Sequence, residues 1–378
     1  MEQPPRFDFR DVLIAPARAL SAKQILVMTG FLCLALVVFD LGYYVSLLID
    51  GQSLESAYSV YGIFPFAGVD FGGTGALIVY AVGIMGSVFA LMLGFFSVAA
   101  INIEAIRGNR FFSASGATRF AFQRIRQILL SELAIAGAVL FVVLLFVILG
   151  LVTRIPVVGE LIYSVFFVIP NFVIGLFTVF VIFVLVVSII LMPAVSAAER
   201  NNESFTSIVE TFSTIIRQPF RWLGYTVYSA VAAKLCSFVY AYFAYRAVQF
   251  MLWSSFLGSG DNIWTLTKSA LWHLPTRSAF VRETFNVFPG VSWGFSIPNV
   301  PYLPTHSFAG HIMAIMLLVI FASVIGYALA IIASAQARGY VVIRYLKDTY
   351  KVTDEKPLFF QEEHVNPPID GEANLRAE

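Results

Sequence analysis

The sequence predicts an all-α, polytopic transmembrane helix bundle of six spans, with amphipathic surface helices on the cytoplasmic side. Three observations carry that prediction. First, 59% of the 378 residues are hydrophobic and only 12% charged, against about 45–50% apolar and about 25% charged in a soluble chain. With a mean hydropathy of +0.82, the chain has too few polar side chains to cover a water-facing surface. Second, several uninterrupted apolar runs exceed the roughly 18 residues that mark a membrane span. Third, the basic residues cluster in every other connection, as expected of a chain that crosses the bilayer repeatedly and keeps Lys and Arg in the cytoplasm. The net charge of +1 provides no overall attraction to nucleic acid, which is not expected as a partner.

The first run covers about 24–48 and follows a polar segment with Arg6, Arg10, Arg18 and Lys23. It is too long for a cleaved signal core. Leu32 precedes Cys33 where a lipoprotein signal wants a small residue, so the run reads as an uncleaved helix. Five more runs lie at about 75–101, 129–152, 171–194, 223–251 and 311–335. Each is long enough for about 30 Å of hydrocarbon, and backbone hydrogen bonding in lipid requires each to be a helix.

Orientation follows from the flanks. Arg107, Arg110, Arg119, Arg124 and Arg126 fall in 102–128, Arg200, Arg217 and Arg221 in 195–222, and Arg338, Arg344, Lys347 and Lys351 after the sixth run. These connections and the N-terminal segment belong on one side. In contrast, 49–74 has no basic residue, 153–157 has only Arg154, and 252–310 has Lys268, Arg277 and Arg282. Both termini are therefore expected in the cytoplasm. Residues 1–351 form one transmembrane domain with an external aromatic-rich segment at 252–310, and 352–378 a flexible, acidic cytoplasmic tail with Pro357, Pro367 and Pro368.

The fourth run is irregular. From Val157 to Met192 the chain is apolar, and a straight helix of that length, about 54 Å, exceeds what a bilayer core needs. A short helix at 158–169, a break at Pro170-Asn171 and the true span after it are expected. Two cytoplasmic connections read as amphipathic helices. Between Asn202 and Gln218, Phe205, Ile208, Val209, Phe212, Ile215 and Ile216 recur at helical spacing, with Glu203, Glu210 and Arg217 on other faces. Asn202 or Ser204 is expected to cap it and Pro219 to stop it. The 114–128 stretch sets Phe120, Ile125 and Ile128 against Arg119, Arg124 and Arg126. Such helices lie in the membrane interface or pack under the bundle. In the outer connection, Trp253, Trp264, Trp272 and Trp293 predict short helices at headgroup level, one around 261–273.

Ionisable groups within the runs are candidates for function by default. Asp40 on the first span and Lys234 or Arg246 on the fifth are within reach as a charge pair. Glu132 is expected to meet Arg124 or Arg126 at the inner boundary. Small residues recur every four positions at Gly86, Ala90 and Gly94, and again at Ala322, Gly326, Ala330 and Ser334. These are helix-packing stripes. Cys33 and Cys236 are the only cysteines and both lie in apolar runs, so no disulfide framework or CxxC site is possible. His273, His306, His311 and His364 match no metal-ligand spacing. There is no Walker loop, GxSxG elbow or HExxH motif; no metal, cofactor or catalytic residue is expected.

One stretch is distinctive: Met192-Pro193-Ala194-Val195, Ala198-Glu199-Arg200-Asn201, Ser204-Phe205 and Arg217-Gln218-Pro219-Phe220-Arg221. With the region from Arg107-Gly108 to Arg126, it resembles bacterial multi-pass inner-membrane proteins, broadly the YciC-like proteins and the membrane domain attached to some glycerophosphodiester phosphodiesterases. The resemblance covers about 120 residues and implies an inner-membrane six-helix bundle with cytoplasmic surface helices; it supplies no catalytic residues. The expected function is that of a non-enzymatic scaffold or accessory subunit that engages lipids, partner proteins or a second copy of itself. The alternative is a transporter or channel with a site near Asp40, Asn171 and Lys234.

Overall fold

In the computed structural model the described residues are 5–61, 71–199, 203–274 and 307–355, and among them every regular element is helical. Two short helices, α1 (Phe9–Leu13) and α2 (Ala15–Ala19), precede α3 (Ala22–Ile49), α4 (Leu54–Tyr61) and α5 (Thr74–Ile106). Then come α6 (Ala114–Gln123), α7 (Ile125–Leu151) with a 3-10 turn at Val152–Arg154, α8 (Val158–Ile162) and α9 (Val168–Ala198). The chain continues through α10 (Ser204–Arg217), α11 (Pro219–Ser259), α12 (Asp261–His273) and α13 (Ser307–Asp348). Six stretches among the described residues are long and apolar enough to cross a membrane: α3, α5, α7, α8 to α9, α11 and α13. The protein is a multi-pass helical membrane protein.

Each span is longer than its apolar run. α11 has 41 residues and α13 has 42, about 60 Å each, twice the hydrocarbon thickness. An apolar run ends where polar and charged residues gather, whereas backbone hydrogen bonding continues until a cap or proline stops it. At α5 the stop is Gly108, with φ 100°. The Asn109 amide donates to the Glu104 carbonyl at 2.8 Å and the Gly108 amide to that of Ala105 at 3.2 Å, a Schellman closure whose left-handed residue favours glycine. Gly260, with φ 57°, separates α11 from α12, its amide donating to the Phe256 carbonyl at 2.8 Å.

The expected break at Pro170-Asn171 is corrected by the structure. α8 runs through a π-helical turn at Tyr163–Phe167 into α9, so Pro170 lies in the first turn of α9. In a regular helix the proline ring clashes with the carbonyl four residues back. The wider π turn relieves that clash without unwinding the chain. The interruption lies earlier, around Pro156-Val157, where Val157 takes φ 63°.

Pro219 does stop α10, and it also starts α11, since a proline at the first helical position has no amide to waste. The capping expectation fails at Ser204. The cap position is Glu203, which makes no side-chain capping bond, and the Ser204 hydroxyl donates to the Gln127 carbonyl at 3.2 Å. Asn202 and Trp293 lie outside the described residues, as do His306, His364 and the tail from 356.

The chain divides into two compact units. The first comprises Met1–Leu13, Ala99–Thr226 and Ala335–Glu378. Here α10 packs on α7 and α9, and Ile135, Val181 and Met192 form a core against Ile208 and Phe212. The second comprises Ile14–Val98 and Val227–Ser334. In it α3 receives both small-residue stripes. A side chain at Gly86 would meet Val38, one at Gly94 would meet Phe31 and Met28, and one at Gly326 would meet Thr29. Gly42 and Gly83 bring α3 and α5 closest, since a Cβ at Gly42 would stand 2.5 Å from the Gly83 Cα. Tyr43, Leu47 and Ala57 seal one end of that contact with Phe71 and Tyr80, and Asp50 accepts from the Gly73 amide at 3.0 Å.

Candidate functional site: a charge network at the helix ends

The densest chemistry in the described residues lies in the first unit, where the last turns of α5, α9 and α13 meet α10. The last four carbonyls of any helix lack helical partners, and α9 ends with its final residues fully buried. Two arginines cover that end. Arg107, held at the C-cap of α5 by the Gly108 turn, donates to the Ala198 carbonyl at 2.7 Å. Arg124, between α6 and α7, donates to the carbonyls of Ser196 at 3.2 Å and Glu199 at 2.8 Å. Its guanidinium lies over the Phe120 ring at 4.8 Å. Positive charge at a helix C-terminus also complements the helix dipole.

The arginines are neutralised in turn. Arg107, with a side chain only 2% exposed, pairs with Glu104 at 3.2 Å and with Glu355. Tyr350 bonds the same Glu355. The start of the tail is thus docked: Val352 is fully buried and Glu355 is an ion-pair partner, so residues 352–355 are held in place where flexibility was expected. Burial and then the charge of Arg107 push the Arg124 pKa below its ordinary value, with Glu355 opposing them. Arginine stays charged regardless.

A second layer follows. Glu199 accepts from the Tyr340 hydroxyl at 2.6 Å and pairs with Arg344 at 3.2 Å. Arg344 also reaches Glu210 at 2.8 Å and Asp348. Lys347 holds the other oxygen of Glu210 at 2.5 Å and donates to Ser213 at 3.0 Å. Arg217 joins at the rim, 3.6 Å from Asp348. On α10 the buried residues are Ser207, Thr211, Thr214 and Ile215. Gln127 donates to Ser207 at 2.7 Å, and Ser207 lies 3.1 Å from Ser196. The arrangement matches cations to carboxylates and arginines to orphan carbonyls, so it clamps helix ends together.

Sequence reading placed these basic residues by side of the membrane and did not foresee their partners. Glu199, Ser204 and Arg217 lie in one of the stretches that the sequence singled out, Arg107 and Arg124 in the other, and all belong to this network. Glu132 is corrected: one carboxylate oxygen accepts from Ser188 on α9 at 2.8 Å and the other is buried without a hydrogen-bond partner among the described residues, so it meets neither Arg124 nor Arg126. Arg246 is corrected as well. It is exposed on α11, donates to Gln249 at 2.6 Å and lies over Tyr242 and Tyr245 of its own helix. Asp40 is half-buried, Lys234 is exposed, and both belong to the second unit. Asn171 belongs to the first and donates to the Tyr163 hydroxyl at 3.3 Å.

Ala90, Ala322 and Ala330 are buried with their stripes. Cys33 and Cys236 are half-buried free thiols. Among the described residues no His, Cys, Asp and Glu are grouped to hold a metal ion. No family model, curated protein or solved structure matches the chain.

Proposed function

We propose that this protein is a non-enzymatic membrane component of the bacterial cytoplasmic membrane, a scaffold or accessory subunit, with both termini in the cytoplasm. The reading rests above all on α10. Its polar face, Ser207, Thr211 and Thr214, is turned into the protein, while Phe205 is 73% and Ile216 60% exposed. Phe220, just after it, is 86% exposed. A surface helix that buries its hydroxyls together with Ile208, Phe212 and Ile215 and still presents Phe205, Val209 and Ile216 outward, with Arg217 and Arg221 alongside, suits a lipid interface of anionic headgroups or an apolar partner. The α7–α9 hairpin supports the same reading, with Phe141, Ile148, Ile169 and Phe172 facing outward.

Two measurements test it. Cysteine introduced at Ser259 is expected to react with an impermeant reagent in intact cells and cysteine at Ser204 to be protected; the opposite pattern overturns the orientation. Purified in mild detergent, the wild type is expected to carry stoichiometric lipid or protein companions that the Phe205→Asp/Ile216→Asp variant loses. A protein that purifies alone and drives a solute flux abolished by Asp40→Asn is a transporter, and the scaffold reading is then wrong.

A further inference from the structure

The second unit contains a cavity of about 280 Å³ bounded by α11, α12 and α13. Its walls include Ala241, Leu252, Leu271, Leu317 and Phe321. Of the two hydroxyl-bearing residues that line it, Thr267 donates to the Ile263 carbonyl of its own helix at 2.7 Å, and Tyr245 accepts from Gln249 at 3.3 Å. A space with so few polar partners is a poor site for water. Left empty, it forfeits the dispersion contacts of every wall atom. Because α11 and α13 are both membrane spans, the surrounding medium itself supplies a filler, hydrocarbon. Its size and apolar walls suit a stretch of lipid tail.

A second, independent feature stands beside it. Arg246 follows Tyr245 in sequence and lies over that wall ring at 6.0 Å and over Tyr242 at 5.2 Å. Gln249 braces both, accepting from the guanidinium at 2.6 Å and donating to the Tyr245 hydroxyl at 3.3 Å. Each cation of the charge network meets a carboxylate or a backbone carbonyl. Arg246 is exposed, and its contacts among the described residues are Gln249 and these two rings. Guanidinium groups match phosphate oxygens with paired, charge-assisted hydrogen bonds. A braced guanidinium next to a dry, chain-sized cavity has the two halves of a phospholipid receptor.

We propose that this cavity holds an acyl chain of an anionic phospholipid whose phosphate is bound by Arg246. The site is separate from α10 and does not depend on how α10 is used. The competing occupant within the chain is the aromatic segment that follows Leu274. Residues 275–306 contain Arg277 and Arg282 against a single acid, Glu283, so the segment is a poor counter-charge for Arg246. A phospholipid supplies both tail and anion.

The test uses the full-length protein, delipidated in detergent and titrated with phosphatidylglycerol or phosphatidylcholine, with melting temperature and bound lipid by native mass spectrometry as readouts. Phosphatidylglycerol is expected to bind and stabilise the wild type more than phosphatidylcholine does. Arg246→Gln removes that preference, weakening phosphatidylglycerol roughly tenfold, and Arg246→Lys restores part of it. Ala244→Phe, which fills the cavity from α11, abolishes the effect of both lipids while leaving the lipid-free melting temperature close to wild type. Equal affinity for the two lipids, or an unchanged preference in Arg246→Gln, overturns the phosphate contact. Undiminished binding in Ala244→Phe places the tail elsewhere and overturns the cavity assignment. If Ala244→Phe melts early, Leu317→Trp fills the same space from α13 and decides the question. Failure of these tests leaves the scaffold reading standing, because that reading depends on α10.

Discussion

The two units hold their helices together by opposite means. The first spends long charged side chains: Arg107, Arg124, Arg344 and Lys347 reach across to carbonyls and carboxylates on other helices. The second spends almost no side chain at all, bringing α3 and α5 into backbone contact at Gly42 and Gly83 and seating Gly326 of α13 against Thr29. The difference shows what each environment rewards. Where helices end, orphan carbonyls and dipole charge need partners, and charged groups answer them. Between apolar helices in lipid there is little hydrophobic drive to associate, so close van der Waals approach through small residues takes its place. A polar clamp is specific and fails badly when one member is removed, whereas a small-residue contact fails when anything is added.

The sharpest way to break the first unit is Arg107→Met. It strands Glu104 and Glu355 and uncovers the Ala198 carbonyl, and is expected to destabilise the protein by about 3–5 kcal/mol. Thermal melting in detergent reads the loss; a change below about 1 kcal/mol would mean that the clamp is not structural. In the second unit the corresponding test adds an atom. Gly42→Ala places a Cβ 2.5 Å from the Gly83 Cα, for an expected loss of about 1–3 kcal/mol. An unchanged melting temperature would show that the crossing opens freely.

Glu355→Gln separates the tail's contribution from the rest of the clamp. Arg107 keeps Glu104 and the Ala198 carbonyl, so about 1–2 kcal/mol is expected, together with faster proteolysis after residue 350. If protease sensitivity does not change, Glu355 does not hold the tail. Asp40→Asn asks whether the second unit also uses an ion pair. Asp40 is half-buried and Lys234 exposed, so a pair between them is expected to be worth about 1 kcal/mol, with Lys234→Met no worse in the Asp40→Asn background. Additive losses in that double-mutant cycle would rule the pair out. The smallest effect is expected at the rim. Arg217 is mostly exposed and 3.6 Å from Asp348, and Arg217→Ala should cost less than about 0.5 kcal/mol, with that little removed by salt.

Much of the framework was legible in the sequence because it depends on local composition. Six long, strongly apolar runs had to be helices in lipid, and α12 covers the stretch that the aromatic pattern indicated, Asp261 to His273. The four-residue spacing of Gly86, Ala90 and Gly94 marked a packing face, since a helix repeats its faces at that period. Composition says that α10 is amphipathic, but only packing decided which side faces in. Ser207 went inside because Gln127 and Ser196 met it with hydrogen bonds, and Thr211 because its hydroxyl donates to the Ser207 carbonyl; a satisfied hydroxyl is cheap to bury. The network was illegible for a related reason. Arg107, Ala198 and Glu355 are distant in sequence, and nothing local to any of them indicates the others. Pro170 is the instructive failure: proline forbids a regular turn, but whether the chain breaks or widens depends on the neighbouring backbone, and here a π turn absorbed it. Sequence by itself determined which segments live in lipid. Tertiary structure decided which groups share a partner, because ion pairs and close crossings are set by three-dimensional proximity and not by spacing along the chain.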